Sequence, residues 1–419
     1  MSKYKVLLSD DMDIFDKVEL LLEKGLCDHC LGRMFAQLGH GLTNDMRGRS
    51  LRVVYAMVGS EEERKEIPEE PDECSLCGNI FDEIDGFVSI IKDEMADYEF
   101  DTFLVGTRID PEIQEKEEAI WAEVDIEHSE PIKTELNREI GKRVFDEVDA
   151  EVDLERPDLK AIIDTRFDSL EIELAPLFIY GRYRKLSTEI PQTSWPCKRC
   201  RGTGCEKCDG TGKMYETSVE EIAGEPLLEK TEGDEFILHG MGREDIDVKM
   251  LGEGRPFVME IKNPIKRDID LDRWASEVNE DGRVEIDSIE KTDKDKVVEI
   301  KEERADKTYR VYVSFDEKVE RGKFKKVLKC LRGAKLSQRT PNRVKHRRAD
   351  KVREREIKEI HLEEFQEKKA VITLRCEAGT YVKEFIHGDE GRTQPNLSEE
   401  LGIGCVTETL EVIDVHYEA

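Results

Sequence analysis

Ile14, Val18, Leu21 and Leu22 recur three and four residues apart, the stripe of an amphipathic helix, and Gly25 follows as a stop. The same rhythm predicts a second helix over residues 51–58, after which an acidic, proline-containing stretch reads as a loop. From Tyr98 the pattern becomes mixed: FDTFLVGTRI has the run of a strand, and TELNREIGKRVFDEV the spacing of a helix. Residues 169–174, SLEIEL, alternate with period two, as a half-buried strand does. A basic, aromatic joint, YGRYRKLSTEIPQTSWP, comes next, and beyond it Ser218 and Glu221 have the capping-box spacing that opens a helix. Residues 257–261, 309–315 and 371–376 then read as strands among helices, and the charged stretch 290–306 as exposed hairpin or loop. That order predicts an α+β chain whose C-terminal part holds a mixed or antiparallel sheet.

A chain of 419 residues and 48.4 kDa exceeds one ordinary core and implies two or three domains. The shifts in pattern put a first domain at 1–190, a cysteine-rich insert at 191–215 and a C-terminal domain at 216–419. Charged residues (39%) match apolar ones (38%), and no run approaches the ~18 apolar residues of a membrane span. The first residues carry acids where a signal peptide would be apolar, so the cytoplasm is expected.

The net charge of −31 would repel polyanions at long range. It is unevenly spread, however. Residues 321–358 hold sixteen Lys or Arg against three acids, a local +13 that leaves −44 for the rest. A concentrated basic segment on an acidic body is the footprint of a phosphate-binding face. Within it, Gln338-Arg339-Thr340-Pro341 and His346-Arg347-Arg348 suggest a folded turn.

Eight of the eleven cysteines fall in C-x-x-C pairs: Cys27/Cys30, Cys74/Cys77, Cys197/Cys200 and Cys205/Cys208. Such pairs place two thiolates on one turn, and four complete a closed tetrahedral zinc site with no open position for chemistry. The first two pairs can complete one site across 43 intervening residues; the last two can form their own site or share a thiol-only one. Those last two repeat C-x-x-C-x-G-x-G, which resembles the zinc module of J-domain co-chaperones, although the chain has no His-Pro-Asp triplet. Cys330, Cys376 and Cys405 read as interior residues.

The candidate chemistry lies in Gly242-Arg243-Glu244-Asp245, where an arginine two residues before an aspartate on a glycine turn sets a cation beside a carboxylate. Asp247 is the rival acid, sharing the face of Asp245 in a strand but not in a turn. Tyr309 opens an alternating strand between basic residues, a flat ring able to stack on a nucleobase or to sit in the core. Glu377 to Phe385 reads as a strand end turning through Gly379 into a helix, with Tyr381 and Lys383 at the junction. Neither a G-x-x-x-x-G-K-[ST] loop nor a G-x-G-x-x-G turn occurs, which argues against a nucleotide cofactor.

Taken with CDHC, CSLC and GRYRKLSTEIPQTSWP, the blocks GREDIDVKMLGEGRPFVMEIKNP, KTYRVYV, QRTPNRVKHRR and GTYVKEFIHGDEGRTQPNL resemble the archaeal-type tRNA pseudouridine synthases, a family shared with eukaryotes. The resemblance spans essentially the whole chain. It implies an N-terminal zinc- and THUMP-containing domain and a catalytic domain with a mixed, mainly antiparallel sheet flanked by helices. It also implies isomerisation of uridines 54 and 55 in the T-loop of tRNA, structural zinc, no organic cofactor and a monomeric enzyme. By position, Asp245 corresponds to the catalytic aspartate, Tyr309 and Tyr381 to substrate-contacting tyrosines, and Lys383 to the basic partner of the aspartate. Arg243 corresponds to the arginine of G-R-T-D in sister families, with Glu244 departing from that pattern. Arg182, Arg184, Lys185, Arg339, Arg343, His346, Arg347 and Arg348 are then expected on RNA phosphates. The competing classes are a THUMP-bearing methyltransferase or thiolase, which needs a glycine-rich nucleotide loop, and a non-catalytic RNA-binding zinc protein, for which Asp245 is dispensable.

Overall fold

In the computed structural model, which describes residues 14–58, 66–345 and 348–417, the chain divides after Ala175 into two units. In the first, helix Ile14–Glu23 buries Val18 and Leu21, as its apolar stripe requires. Helix Asn44–Met57 begins seven residues ahead of the expected start because its buried face carries Asn44, Arg47, Gly48 and Arg52, not an apolar stripe. Those arginines donate to main-chain carbonyls, Arg47 Nε to Phe35 O at 3.0 Å and Arg52 Nη1 to Glu69 O at 3.0 Å. Strands β1 (Thr102–Arg108), β2 (Glu151–Val152), β3 (Leu159–Asp164) and β4 (Ser169–Leu174) form a sheet in the order β2-β1-β3-β4. Only β3–β4 is antiparallel. Helices Ile84–Met95 and Ile132–Glu147 cover it, burying Phe103, Val105 and Ile163.

The second unit is built on one large sheet. Its strands are β5 (Leu177–Lys185), β6 (Glu235–Gly240), β7 (Val248–Lys262), β8 (Val284–Thr292), β9 (Lys307–Phe315), β10 (Lys335–Arg339), β11 (Val352–Gln366), β12 (Lys369–Cys376), β13 (Thr393–Gln394) and β14 (Cys405–Val415). They lie in the order β13-β10-β11-β12-β9-β14-β7-β5-β8, with β6 also on β7. Among the described residues β7–β14 is its one parallel pair, so the sheet is mixed and mainly antiparallel, as expected. Ser218 caps helix Val219–Thr231 by accepting from Glu221 N, as expected, while the Glu221 carboxylate accepts from the Ser218 hydroxyl at 2.7 Å and not from its main chain as a full box would.

Two expectations change here. The first part of the stretch read as a joint, Tyr180 to Lys185, belongs to strand β5, hydrogen-bonded to both β7 and β8, so the second unit begins at 176 and not at 191 or 216. Its alternation is hidden because Leu177 to Gly181 are buried on both faces. The charged stretch 290–306 holds helix Lys294–Glu302, capped by Asp293; only Val297 and Ile300 are buried, too narrow a stripe to read from sequence. Strand β7 bends at Gly252 (φ +63°) as it passes from β14 to β5. A Cβ there would lie 1.9 Å from Ile413 O, so glycine is required.

Candidate active site

Residues 241–247 form the turn between β6 and β7. Gly242, at φ +81°, carries the main chain over two cations; a Cβ would lie 3.3 Å from Arg255 Nη1 and 3.7 Å from Lys307 Nζ. Arg255, on β7, is fully buried and donates from Nη1 to Met241 O at 2.7 Å. Its Nε lies 3.0 Å from Glu244 Oε2, and both side chains are 1% exposed. Glu244 also accepts from the Tyr183 hydroxyl at 2.9 Å, and that hydroxyl accepts from Gln192 Nε2 at 2.8 Å. Gln192 Nε2 donates in addition to Gly242 O at 3.0 Å, tying the turn to β5.

Beneath the turn, Lys185 Nζ donates to Ile190 O at 3.1 Å and Ile246 O at 2.7 Å. Burial pushes Lys185 down to about 8, against the pull of Glu244. Burial and the neighbouring Arg255 push Lys307 likewise to about 8, opposed by Cys376, Asp306 and Glu244. Glu244 is thus the shared counter-charge of Arg255, Lys185 and Lys307. This accounts for the acid at the third position of the tetrapeptide.

Asp245 points the other way, half-buried on the rim of a cavity of about 220 Å³. Its Oδ2 accepts from Arg343 Nη1 at 2.5 Å, and Arg343 Nε donates to buried Glu384 at 2.7 Å. Lys383 pairs with Asp247 at 2.6 Å, so the cation expected on Asp245 sits on its neighbour, and Arg343 takes that place. The turn decides this: in it the two aspartates diverge, Asp245 toward Arg343 and Asp247 toward Lys383. Tyr309 from β9 and Tyr381 at the head of helix Val382–His387 line the same cavity as Asp245, Arg243 and Lys383. Burial holds the Tyr309 hydroxyl above its ordinary range. Gly379 (φ +77°) makes the turn, and Gln338 fixes Tyr381 by exchanging hydrogen bonds with its N and O at 2.9 and 3.0 Å.

The residues expected on phosphate divide. Lys185 is wholly buried and bonded to carbonyls, so it cannot face RNA; the inward pleat of β5 explains the correction. Arg182 donates to Tyr417 O at 2.7 Å, and Arg184 pairs with Glu285 and Asp287. Arg339 is paired with Asp350 on the surface, and Arg348 lines the cavity. His346 and Arg347 lie outside the described residues. Arg255, Tyr183, Gln192, Lys307 and Glu384 were not picked from sequence. All five lie inside the blocks that carry the resemblance, Tyr183 and Gln192 in GRYRKLSTEIPQTSWP, Arg255 in G-E-G-R-P, Lys307 in K-T-Y-R and Glu384 in GTYVKEF, but nothing local marks their roles.

The cysteines assemble as two sets, Cys27/Cys30/Cys74/Cys77 and Cys197/Cys200/Cys205/Cys208, with all sulfurs of each within 4.8 Å of one another. The Cys27 and Cys77 sulfurs are 3.7 Å apart, and those of Cys197–Cys205, Cys200–Cys208 and Cys205–Cys208 are 3.9, 3.8 and 3.7 Å apart. A tetrahedron with ~2.3 Å Zn–S bonds has edges of about 3.8 Å, so both sets fit zinc. Main-chain N–H groups point at the sulfurs, Cys27 N to Cys74 Sγ at 3.3 Å and Gly212 N to Cys208 Sγ at 3.2 Å, which suits thiolates. Cys376 and Cys405 are buried as expected, but Cys330 is exposed on helix Arg321–Leu331, whose apolar face is Phe324, Val327, Leu328 and Leu331.

Comparison with known proteins bears on this arrangement. A family model described as Pus10, C-terminal, matches residues 178–416, and one described as Pus10 THUMP domain, archaeal, matches residues 87–164. The protein called tRNA pseudouridine synthase Pus10 of Methanothrix thermoacetophila is 40% identical over 96% of this chain and 94% of its own. Its namesake in Methanopyrus kandleri is 41% identical over 93% and 95%. A solved Cbf5-Nop10-Gar1 complex aligns with 47% of this chain and 45% of its own at 17% identity and a TM-score of 0.30. The matched units define a THUMP-bearing pseudouridine synthase, an isomerase. The chain belongs to the Pus10 family.

Proposed function

We propose that the enzyme converts uridines 54 and 55 in the T-loop of tRNA to pseudouridine, with Asp245 as the reacting carboxylate and without a cofactor. The observation that carries the reading is the convergence of Asp245, Tyr309 and Tyr381, from three separate elements, on one cavity. Unstacking a loop uridine costs a few kcal/mol, less than in a duplex. Tyr309 stacks on the extruded base, and Arg243 fills the vacated space.

Asp245, aimed by Arg343, then acts on the ribosyl uracil as nucleophile or as base. The C1′–N1 bond breaks, the uracil rotates in the cavity, and a C1′–C5 bond forms. A proton leaves C5 and one is gained at N1, so product and substrate are isomers and no oxidant or co-reactant enters. Glu244 and the buried cations fix the turn from below, while Lys383 and Tyr381 close the wall opposite. Arg182, Arg184, Arg339, His346, Arg347 and Arg348 contact phosphates, which positions the tRNA without reading its sequence. Both cysteine sets hold structural zinc.

Carbodiimide mapping of a tRNA transcript is the test. The native enzyme should mark positions 54 and 55, and Asp245→Ala should bind the transcript but leave both uridines unmodified. Product formation by Asp245→Ala would remove the assignment.

A further inference from the structure

Between β5 and the second cysteine set runs a strap, residues 187–196, that grips the Gly242–Arg243 turn twice. Gln192 holds the main chain at Gly242 O, and the indole of Trp195 lies 5.1 Å beneath the Arg243 guanidinium. The strap is itself pinned at Pro191 O and Gln192 O, which accept from Val219 N at 3.0 Å and Glu220 N at 2.9 Å. Trp195 is held from the far side by the cysteine ribbon. Met214 N donates to Trp195 O at 2.8 Å, Tyr215 meets the indole edge-on at 5.6 Å, and Pro196 bridges Lys213. Cys197 N donates to Gly212 O at 2.6 Å, closing the loop at its base.

Nothing apolar holds that loop. Residues 198–212, KRCRGTGCEKCDGTG, contain no hydrophobic side chain except cysteine, and Gly202, Gly204, Gly210 and Gly212 all have positive φ. A segment without a core depends for its order on the sulfur cluster that its three cysteines form with Cys197. Arg243 is otherwise an exposed side chain with many rotamers, and an aromatic face under a guanidinium restricts them.

We infer that the 197–208 cysteine ribbon is a positioning device for the reaction, holding Trp195 as the platform that aims Arg243 into the Asp245 cavity. Trp195 is thus a positioning residue, acting through Arg243. The inference deepens the proposed function and rests on it for its kinetic arm only.

The kinetic arm uses single-turnover isomerisation of a tRNA transcript by the full chain. Trp195→Ala should slow it about tenfold with transcript affinity little changed, Trp195→Phe should recover most of the rate, and Trp195→Ala/Arg243→Ala should be no slower than Arg243→Ala alone. Multiplying effects, or a Trp195→Ala enzyme at full speed, would overturn it. The second arm needs no activity. The Trp195 emission, read as native minus Trp195→Phe, should change in Arg243→Ala and shift to the red in Cys208→Ser with loss of one zinc. Emission indifferent to both changes would overturn the inference even if the enzyme isomerises uridine. A native enzyme that leaves the T-loop unmodified while the emission arm holds would instead refute the proposed substrate.

Discussion

Glu244→Gln probes the counter-charge beneath the turn most directly. Glutamine keeps the shape and still accepts from the Tyr183 hydroxyl, but removes the carboxylate that Arg255, Lys185 and Lys307 share. Because Glu244 and Arg255 are each only 1% exposed, water cannot replace the lost charge. Leaving one ion of such a pair unpaired costs about 3–5 kcal/mol. For a unit of this size that corresponds to a fall in melting temperature of roughly 6–20 °C. Both lysines also lose one of the contributions that raise them, so each should titrate below its native value of about 8. The assay is thermal unfolding followed by tryptophan emission, repeated on Glu244→Gln/Arg255→Met. Removing both charges leaves no stranded Arg255 and takes its repulsion off Lys185 and Lys307, so the double variant should recover part of the loss. A single variant melting within about 2 °C of the native protein would refute the counter-charge argument, as would a double variant less stable than Glu244→Gln.

Arg343→Lys keeps a positive charge but cannot hold Asp245 and Glu384 together, so kcat should drop about 10²-fold with little change in transcript affinity; an unimpaired enzyme would show that the clamp does not aim the carboxylate. Lys307 should lose its charge as pH rises through about 8, so kcat/KM should decline above that pH in the native enzyme and Lys307→Met should lack this limb. Stability should move oppositely. The folded value lies below the ~10.4 of a free lysine, so burying the charged form is a deficit fully present below pH 8 and relieved as pH rises toward 10.4. Denaturant titrations of native and Lys307→Met proteins at pH 7 and 10 should therefore converge at the higher pH, and a constant gap would contradict the shift. Cys77→Ser should release one zinc and expose the first unit to protease at residues 26–88 while leaving Arg243-dependent Trp195 emission intact; equal protease resistance with and without the metal would show that the set does not hold that unit.

The sequence by itself settled what depends on local order. The period of Ile14 to Leu22, the Ser218 cap and the alternation in 169–174 each became the expected element, because caps and pleats act within a few residues. The four C-x-x-C turns were equally legible, since thiolate spacing is set by one turn. Elements with unusual burial were not. Strand β5 is buried on both faces and so lost its alternation, and helix Lys294–Glu302 buries only two side chains. Charge partners were the least legible of all. Arg343 lies 98 residues from Asp245, and Lys383 lies 136 from Asp247. Which cation meets which carboxylate is fixed by how the sheet brings the 241–247 turn, the 342–344 turn and the 379–383 turn together, a long-range outcome that no local residue pattern encodes.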